Sequence, residues 1–302
     1  MSCSRSASPK HERPIRPATH GRARARRGGL YATCADRGIA TCNICCTDGK
    51  LATIYDPTMP EETTRPRLTE IREAELQQAC DILGVKELHF LRYGDSGMAG
   101  EPTNDAPDAF WRSQLDEVTG RIVEHIRRFK PHVVMTYGGY GDYGHPDHIQ
   151  AHRATLLAVE AAYTPMYKDA GPPWRVQKLY YTAFPVSWAR KAIDMAKAAG
   201  IASPFGDEDP AGSLFFTPDE WVTTSVDCRT GMKRKLDALR AHRSQIAPDW
   251  PWFQIPEEIA IDQFGDEFFQ LVVSRTPARL PETDVFTGVG DAAASLAAAS
   301  GG

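Results

Sequence analysis

The sequence lacks several features that would assign it to special classes of protein. No apolar run approaches the ~18 residues of a membrane span, so we expect no transmembrane helix. A net charge of -4 gives the chain no overall attraction for nucleic acid, and no internal repeat is present. The seven cysteines are not accompanied by a secretory signal, which favours a reducing, cytoplasmic location. What remains is an ordinary globular composition, in a chain of 302 residues that can bury a sizeable core.

Residues 1–29 contain few acidic and few apolar side chains. Glu12 is their one acidic residue, against seven arginines and Lys10. Almost nothing in this segment could enter a core, so we predict an Arg-rich, disordered leader. Three interpretations stay open: an organelle transit peptide, a basic arm for nucleic acid, or a stretch translated out of frame from a GC-rich gene. We also predict a disordered tail of small residues over 291–302.

The segment from Tyr137 to His148 has the composition of a functional loop. It reads Tyr-Gly-Gly-Tyr-Gly-Asp-Tyr-Gly-His-Pro-Asp-His, between an apolar strand pattern at 131–136 and a helical pattern at 149–163. Pro146 suits the first turn of that helix, because its fixed φ is helical and its missing N–H costs nothing there. Loops at the carboxyl ends of the strands of an open α/β sheet hold ligands. His148 and His152 lie one helical turn apart and could share a metal, although helix packing explains His152 equally well.

Strand and helix patterns alternate through the rest of the chain. This order predicts an α/β fold, with a Rossmann-like, mostly parallel sheet and helices on both faces, in a domain over 30–290. One predicted helix runs from 69 to 84, with Gly84 as its C-cap. Its outward-facing side chains are expected to be Glu70, Arg72, Glu73 and Glu75. The pair Cys42 and Cys45 lies on an apolar strand, where buried packing is favoured over a redox or metal role.

Several segments in the same order resemble one enzyme family. The loop Gly139–His148 resembles the second motif of the PIG-L/LmbE-like zinc deacetylases, which include the mycothiol biosynthesis deacetylases and mycothiol conjugate amidases. Similar matches are Leu91–Gly100, Pro173–Tyr181 and Ser274–Thr283. The family's first motif, Ala-His-Pro-Asp-Asp-Glu after an apolar strand, has no convincing counterpart before Gly28.

The resemblance implies roles for particular residues. It makes His148 a Zn²⁺ ligand, and the spacing from Gly28 places His20 where the family has its first ligand. His145 would steady the oxyanion or protonate the leaving amine, Asp147 would orient His145, and Tyr143 would add a donor to the oxyanion. Two further residues, Arg72 and Asp95, correspond to substrate-binding positions. No residue can be named for the general base.

The resemblance therefore implies a zinc-dependent hydrolase that removes an N-acetyl group from an N-acetylglucosamine-containing substrate. That substrate would be N-acetylglucosaminyl-inositol or a mycothiol-like amide, a small N-acetylated amino sugar, and no nucleic acid is expected as a partner. The alternative is a catalytically silent relative that keeps the sugar pocket. The sequence leaves homo-oligomerisation open.

Overall fold

The computed structural model of the protein describes residues 2–4 and 27–290, apart from 202, 204 and 207, with side chains from residue 27 onward. The predicted disordered tail at 291–302 lies outside the described residues. So does His20, with most of the predicted leader. Within the described residues, no helix combines the length and apolarity needed to cross a bilayer.

Seven described strands form one mixed sheet in the order β3-β2-β1-β4-β5-β7-β6. The strands are β1 (Ser2–Ser4), β2 (Thr41–Thr47), β3 (Glu87–Tyr93), β4 (Val133–Thr136), β5 (Lys178–Ala183), β6 (Thr224–Asp227) and β7 (Asp266–Ser274). The pairs β2–β3 and β4–β5 are parallel, whereas β1 and β7 run antiparallel to their neighbours. Five strands thus share one direction, but only two of the six neighbouring pairs described are parallel.

Helices connect the strands and cover both faces of the sheet, as predicted for an α/β fold. They are α1 (Gly28–Asp36), α2 (Glu61–Thr64), α3 (Leu68–Leu83), α4 (Leu115–Phe129), α5 (Gly141–Gly144), α6 (Pro146–Ala161), α7 (Val186–Ala199), α8 (Met232–Arg240), α9 (Pro251–Gln254) and α10 (Glu257–Phe264). Alternation along β4 shows the two faces: Val134 packs in the cluster that holds α4 and α6, while Val133 and Met135 pack with α1.

Two predictions about individual segments are wrong. Ser2–Ser4 forms β1 between β2 and β4, so the disorder predicted for the leader does not hold for these three residues. In α3, Glu75 faces inward rather than outward. It is buried because its carboxylate accepts hydrogen bonds from the backbone N–H and the hydroxyl of Ser244, each at 2.7 Å. Helical charge patterning could not reveal an acceptor role toward a residue 169 positions away.

A buried ion pair ties the C-terminal segment to the sheet. The Lys178 ammonium lies 2.5 Å from the Glu282 carboxylate, and both side chains are fully buried. The Tyr180 hydroxyl donates to the other carboxylate oxygen of Glu282 at 2.6 Å. Charges removed from water in this way remain stable only while each keeps its partner.

Replacing Glu282 with glutamine should therefore destabilise the fold by about 3–5 kcal/mol, because Lys178 would keep a buried charge without its counter-ion. Urea unfolding monitored by circular dichroism measures the change. The double variant Lys178→Met/Glu282→Leu should lose less stability than Glu282→Gln, because no charge stays buried. A double variant at least as unstable as Glu282→Gln would contradict this account of the pair.

Candidate active site

The loop between β4 and α6 is built on backbone conformations that few residues adopt. Gly141 has φ +64 and Asp142 has φ +70. A Cβ atom on Gly141 would lie 2.9 Å from the Cβ of His148 and from the backbone nitrogen of Ile149, so only glycine fits. The chain then enters α6 at Pro146, which confirms the predicted helix start.

His145 is the N-cap of α6, and this position fixes its tautomer. Its Nδ1 accepts a hydrogen bond from the backbone N–H of Asp147 at 3.2 Å. A ring nitrogen that accepts carries no proton, so the imidazole is neutral with its proton on Nε2. Burial also lowers the pKa of His145, against the nearby carboxylates of Asp95 and Glu101, which raise it.

His148 has the opposite tautomer. Its Nδ1 lies 3.1 Å from the carbonyl oxygen of Gly141, which can only accept, so Nδ1 carries the proton and Nε2 the lone pair. The ring is buried and stacks on Tyr137, with centroids 4.0 Å apart and planes inclined by 8°. Two imidazoles in one loop thus present a donor nitrogen from His145 and a lone-pair nitrogen from His148.

The carboxyl groups of Asp147 and Asp95 share the space beside His145. Ligand atoms of these three residues lie within 4.8 Å of one another. One oxygen of Asp147 accepts the backbone N–H of Ser96 at 3.2 Å. Burial, and after it the negative charge of Asp95, raise the pKa of Asp147 to about 7. Asp147 is therefore partly protonated near neutral pH.

The loop that carries Asp95 is held by contacts that the sequence did not reveal. Asp48, interpreted only as part of a turn, accepts the backbone N–H of Asp95 at 3.0 Å. Asp95 in turn accepts the N–H of Gly97 at 3.0 Å. Fully buried Ser96 accepts the N–H of Trp111 through its hydroxyl. Asp48 thereby holds the backbone of Asp95, and Gly97 holds its carboxylate.

Arg72 reaches the same region from α3. Its guanidinium donates to the carbonyl of Gly49 at 2.8 Å, and a Cβ on Gly49 would lie 1.7 Å from its Nη1. The absence of a side chain at Gly49 therefore lets Arg72 lie against the backbone. Its positive charge acts on His145, whose pKa it lowers. The predicted substrate-binding residues Arg72 and Asp95 thus both act electrostatically on His145.

Tyr143 stands between the two histidines and a large cavity. Its ring makes edge contacts with His145 and His148, at centroid distances of 5.9 and 5.1 Å. The cavity has a volume of about 660 Å³. His148 and Tyr143 line it together with mostly apolar side chains, which include the aromatic residues Phe184, Trp188, Phe215 and Trp252. The sequence motif of the loop gave no sign of these cavity-lining residues, because they belong to segments that come later in the chain.

His152 belongs to the packing around the loop. Its Nδ1 lies 2.8 Å from the carbonyl oxygen of Tyr137, and its ring meets the edge of Tyr181 at 5.0 Å. Among the described residues, no group of three potential metal ligands contains His152. The structure therefore does not bring His148 and His152 together as a metal site.

Comparisons with known proteins extend this picture. A family model described as PIG-L, GlcNAc-PI de-N-acetylase, matches residues 25–159. A 1D-myo-inositol 2-acetamido-2-deoxy-alpha-D-glucopyranoside deacetylase of Geodermatophilus obscurus is 39% identical over 271 residues, covering 87% of this chain and 92% of the relative. The chain belongs to the PIG-L family. The resemblance drawn from the motifs is thereby confirmed.

Two solved structures share this fold although their sequence identity to the chain is only 20% and 18%. An N,N'-diacetylchitobiose deacetylase from Pyrococcus horikoshii superposes with a TM-score of 0.57 at 20% identity, over 85% of this chain and 83% of that one. GalB, a 4-carboxy-2-hydroxymuconate hydratase from Pseudomonas putida, gives 0.58 at 18% identity, over 89% and 99%. One neighbour is a deacetylase and the other a hydratase, so the fold alone does not select the reaction.

The described residues meet the requirements of the PIG-L metal site in part. His148 offers one oriented nitrogen of the kind that binds Zn²⁺, with the Gly141 carbonyl fixing its tautomer. The group Asp95, His145 and Asp147 is close enough to hold a cation, but the proton on Nε2 of His145 argues against ligation there. No described group of three potential ligands includes His148. The second predicted ligand, His20, lies outside the described residues.

Gly141→Ala should lower kcat/KM for an N-acetylated amino sugar by about 100-fold, because a Cβ would displace His148 and displacements near 1 Å cost about that much. Steady-state kinetics on the folded variant measures the effect.

Gly171→Ala is the matched control. Gly171 also has a positive φ, +92, but a Cβ there meets nothing within 4 Å. Both variants should lose about 1–3 kcal/mol of stability from the strained backbone, and only Gly141→Ala should lose about 100-fold in kcat/KM. Equal kinetic losses in the two variants would show that strain, and not the position of His148, sets the rate.

Proposed function

We propose that the protein is a metal-dependent deacetylase that hydrolyses the acetamide of an N-acetylglucosaminyl-inositol substrate. The observation that carries the proposal is the pair of opposite tautomers in one loop: His148 presents a lone pair and His145 presents an N–H. Amide hydrolysis needs both functions, a ligand for the activating metal and a donor to the developing oxyanion. The similarity to the Geodermatophilus deacetylase supports this substrate class.

The geometry favours one of the two roles that the family offers for His145. A protonated imidazolium would direct Nδ1–H against the backbone N–H of Asp147, which already occupies that position. His145 therefore acts as a neutral donor through Nε2–H and steadies the oxyanion. It does not deliver a proton to the amine. The Tyr143 ring beside it brings a second possible donor, its hydroxyl, to the same place.

Proton transfer falls to the carboxyl pair. Asp147 is the site carboxyl whose pKa of about 7 lies close to working pH, and efficient acid–base catalysis uses such a group. It is fixed by Ser96 and lies beside Asp95 and His145. We assign to Asp147 the holding and release of the proton that the leaving amine requires, in addition to orienting His145 through its own backbone N–H.

The two sides of the histidine pair suit different parts of the substrate. Arg72 and Asp95 provide charge on the side of His145, where sugar hydroxyls would accept and donate hydrogen bonds. The cavity beyond Tyr143 and His148 is mostly apolar. We place the sugar and inositol rings against Arg72 and Asp95, and the acetyl methyl group toward the aromatic wall.

Zinc is the cofactor that fits this chemistry, because Zn²⁺ takes imidazole nitrogen and leaves one position open for water. When bound, it supplies a hydroxide-like nucleophile at neutral pH. We assign His148 as one ligand. The others would come from the segment before α1, where the family has its first motif and where His20 lies. Helix α1 begins at the cavity: Glu267 accepts the N–H groups of Gly29 and Leu30 and lines the same space as His148.

One observation favours a second candidate function. The described residues hold only one of the family's metal ligands, and a single imidazole cannot hold Zn²⁺ tightly. A silent relative that binds the amino sugar without cleaving it would have this arrangement.

The location of the site and of the cysteines supports two further parts of the proposal. The motif loop leaves the carboxyl end of β4, next to parallel β5, as a Rossmann-like arrangement requires. The six cysteines whose side chains the structure describes are buried thiols. We therefore propose a Rossmann-like catalytic core and a reducing, cytoplasmic setting.

His148→Ala should lose one tightly held zinc per chain relative to the unmodified protein, measured after dialysis against zinc-free buffer, because it removes a ligand. His145→Ala should retain zinc and lower kcat by about 100- to 1,000-fold, the usual loss for one oxyanion donor. His132→Ala, which removes an imidazole packed against Trp174 outside the site, should change neither quantity.

A zinc content per chain that is unchanged in His148→Ala would refute the ligand assignment. An unmodified chain that binds the amino sugar but holds no zinc and releases no acetate would favour the silent relative.

A further inference from the structure

A second cluster of potential metal ligands lies at the amino ends of the strands, opposite the end that carries the candidate active site. Cys42 is the second residue of β2, and Glu87 and His89 are the first and third residues of β3. The parallel register pairs Cys42 with Glu87. All three side chains point to the face covered by α4, since Ile44 and Leu91 on the same faces of these strands pack there. Their ligand atoms lie within 4.8 Å of one another.

The last turns of α4 complete the cluster. The His125 ring stacks on His89, with centroids 4.7 Å apart. One guanidinium nitrogen of Arg128 lies 2.8 Å from Nε2 of His89 and 2.9 Å from Nδ1 of His125. It also lies 3.8 Å from the Glu87 carboxylate. Because a guanidinium can only donate, both imidazole nitrogens present lone pairs to it. Two lone pairs and a carboxylate thus converge on one cationic group.

The same geometry contains a conflict that a metal ion would resolve. Nε2 of His89 lies 2.9 Å from Glu87 Oε2 as well as 2.8 Å from the Arg128 nitrogen. A neutral imidazole nitrogen cannot accept from Arg128 and donate to Glu87 at once. With the lone pair on Nε2, two electron-rich atoms face each other at hydrogen-bond distance. A metal ion bound to both would turn this repulsion into coordination.

We propose that Cys42, Glu87, His89 and His125 bind a divalent metal of the zinc and cobalt class, with Arg128 as the competing cation. Thiolate and imidazole ligands select these metals over Mg²⁺ and Ca²⁺, which take oxygen. Ligand atoms around Zn²⁺ stand about 3.3–3.8 Å apart, given bond lengths of about 2.0–2.3 Å, so the cluster needs only small rotations. On binding, the Cys42 thiol releases its proton, and the Arg128 side chain, 48% exposed, moves into solvent.

This site is distinct from the proposed catalytic centre. It lies at the amino ends of β2 and β3, whereas His145 and His148 follow the carboxyl end of β4. The amino and carboxyl ends of a strand of seven residues lie about 20 Å apart. A metal held here joins two strands to α4. It should stabilise the folded chain without entering the reaction.

Cobalt titration of the metal-depleted full-length chain tests the site, because a cysteine thiolate bound to Co²⁺ gives a charge-transfer absorption in the near ultraviolet. The unmodified chain should show this band and Cys42→Ser should not. Cys45→Ser is the matched control. Cys45 lies on the same strand but packs on the other face, so its variant should keep the band. His148→Ala should also keep it, which separates this site from the proposed zinc ligand.

Two further variants distinguish a metal site from an ion-pair network, and neither alters a fully buried side chain. His89→Ala should weaken cobalt binding at least about tenfold, because one ligand is lost. Arg128→Ala should strengthen it, by about tenfold, because the competing cation is gone. If Arg128 and its partners form only an ion-pair network, Arg128→Ala should not bind cobalt more tightly. The proposal is overturned if neither the unmodified chain nor Arg128→Ala shows the band, or if the band survives in Cys42→Ser.

Discussion

The active site depends on how the backbone turns between β4 and α6. Gly141 and Asp142 adopt positive φ angles, and this turn directs the Gly141 carbonyl at one histidine while the first N–H groups of α6 reach the other. Each imidazole is thereby given one tautomer by a backbone group. The different roles that we propose for His145 and His148 rest on this hydrogen bonding, since both residues are histidines.

The sequence predicted the elements that rest on local pattern. The strand before the motif, the start of α6 at Pro146 and the glycine cap of α3 all follow from turn chemistry and periodicity, and the structure has them. These three successes have one physical cause: each signal is contained within a few neighbouring residues. The roles that the family resemblance gives to Arg72, Asp95 and Tyr143 stay predictions.

The failures concern contacts between distant segments. Glu75 is buried because Ser244 meets it, and the Asp95 loop is fixed by Asp48; neither pair is encoded by spacing. The insertion of Ser2–Ser4 between β2 and β4 could not be foreseen, because one cysteine between two serines is too short to show an apolar strand pattern. The cluster of Cys42, Glu87 and His89 on β2 and β3 also depends on contacts between distant segments. Cys42 looked like a packing residue, and its closeness to Glu87 and His89 appears only in the strand register.

The central claim is that this PIG-L family member is a working metal-dependent deacetylase. The most direct measurement is acetate release from 1D-myo-inositol 2-acetamido-2-deoxy-alpha-D-glucopyranoside by the purified full-length chain, before chelation, after chelation and after zinc is restored. The claim predicts turnover that is lost with the metal and regained with zinc. Substrate binding without acetate release in the zinc-restored protein would contradict it.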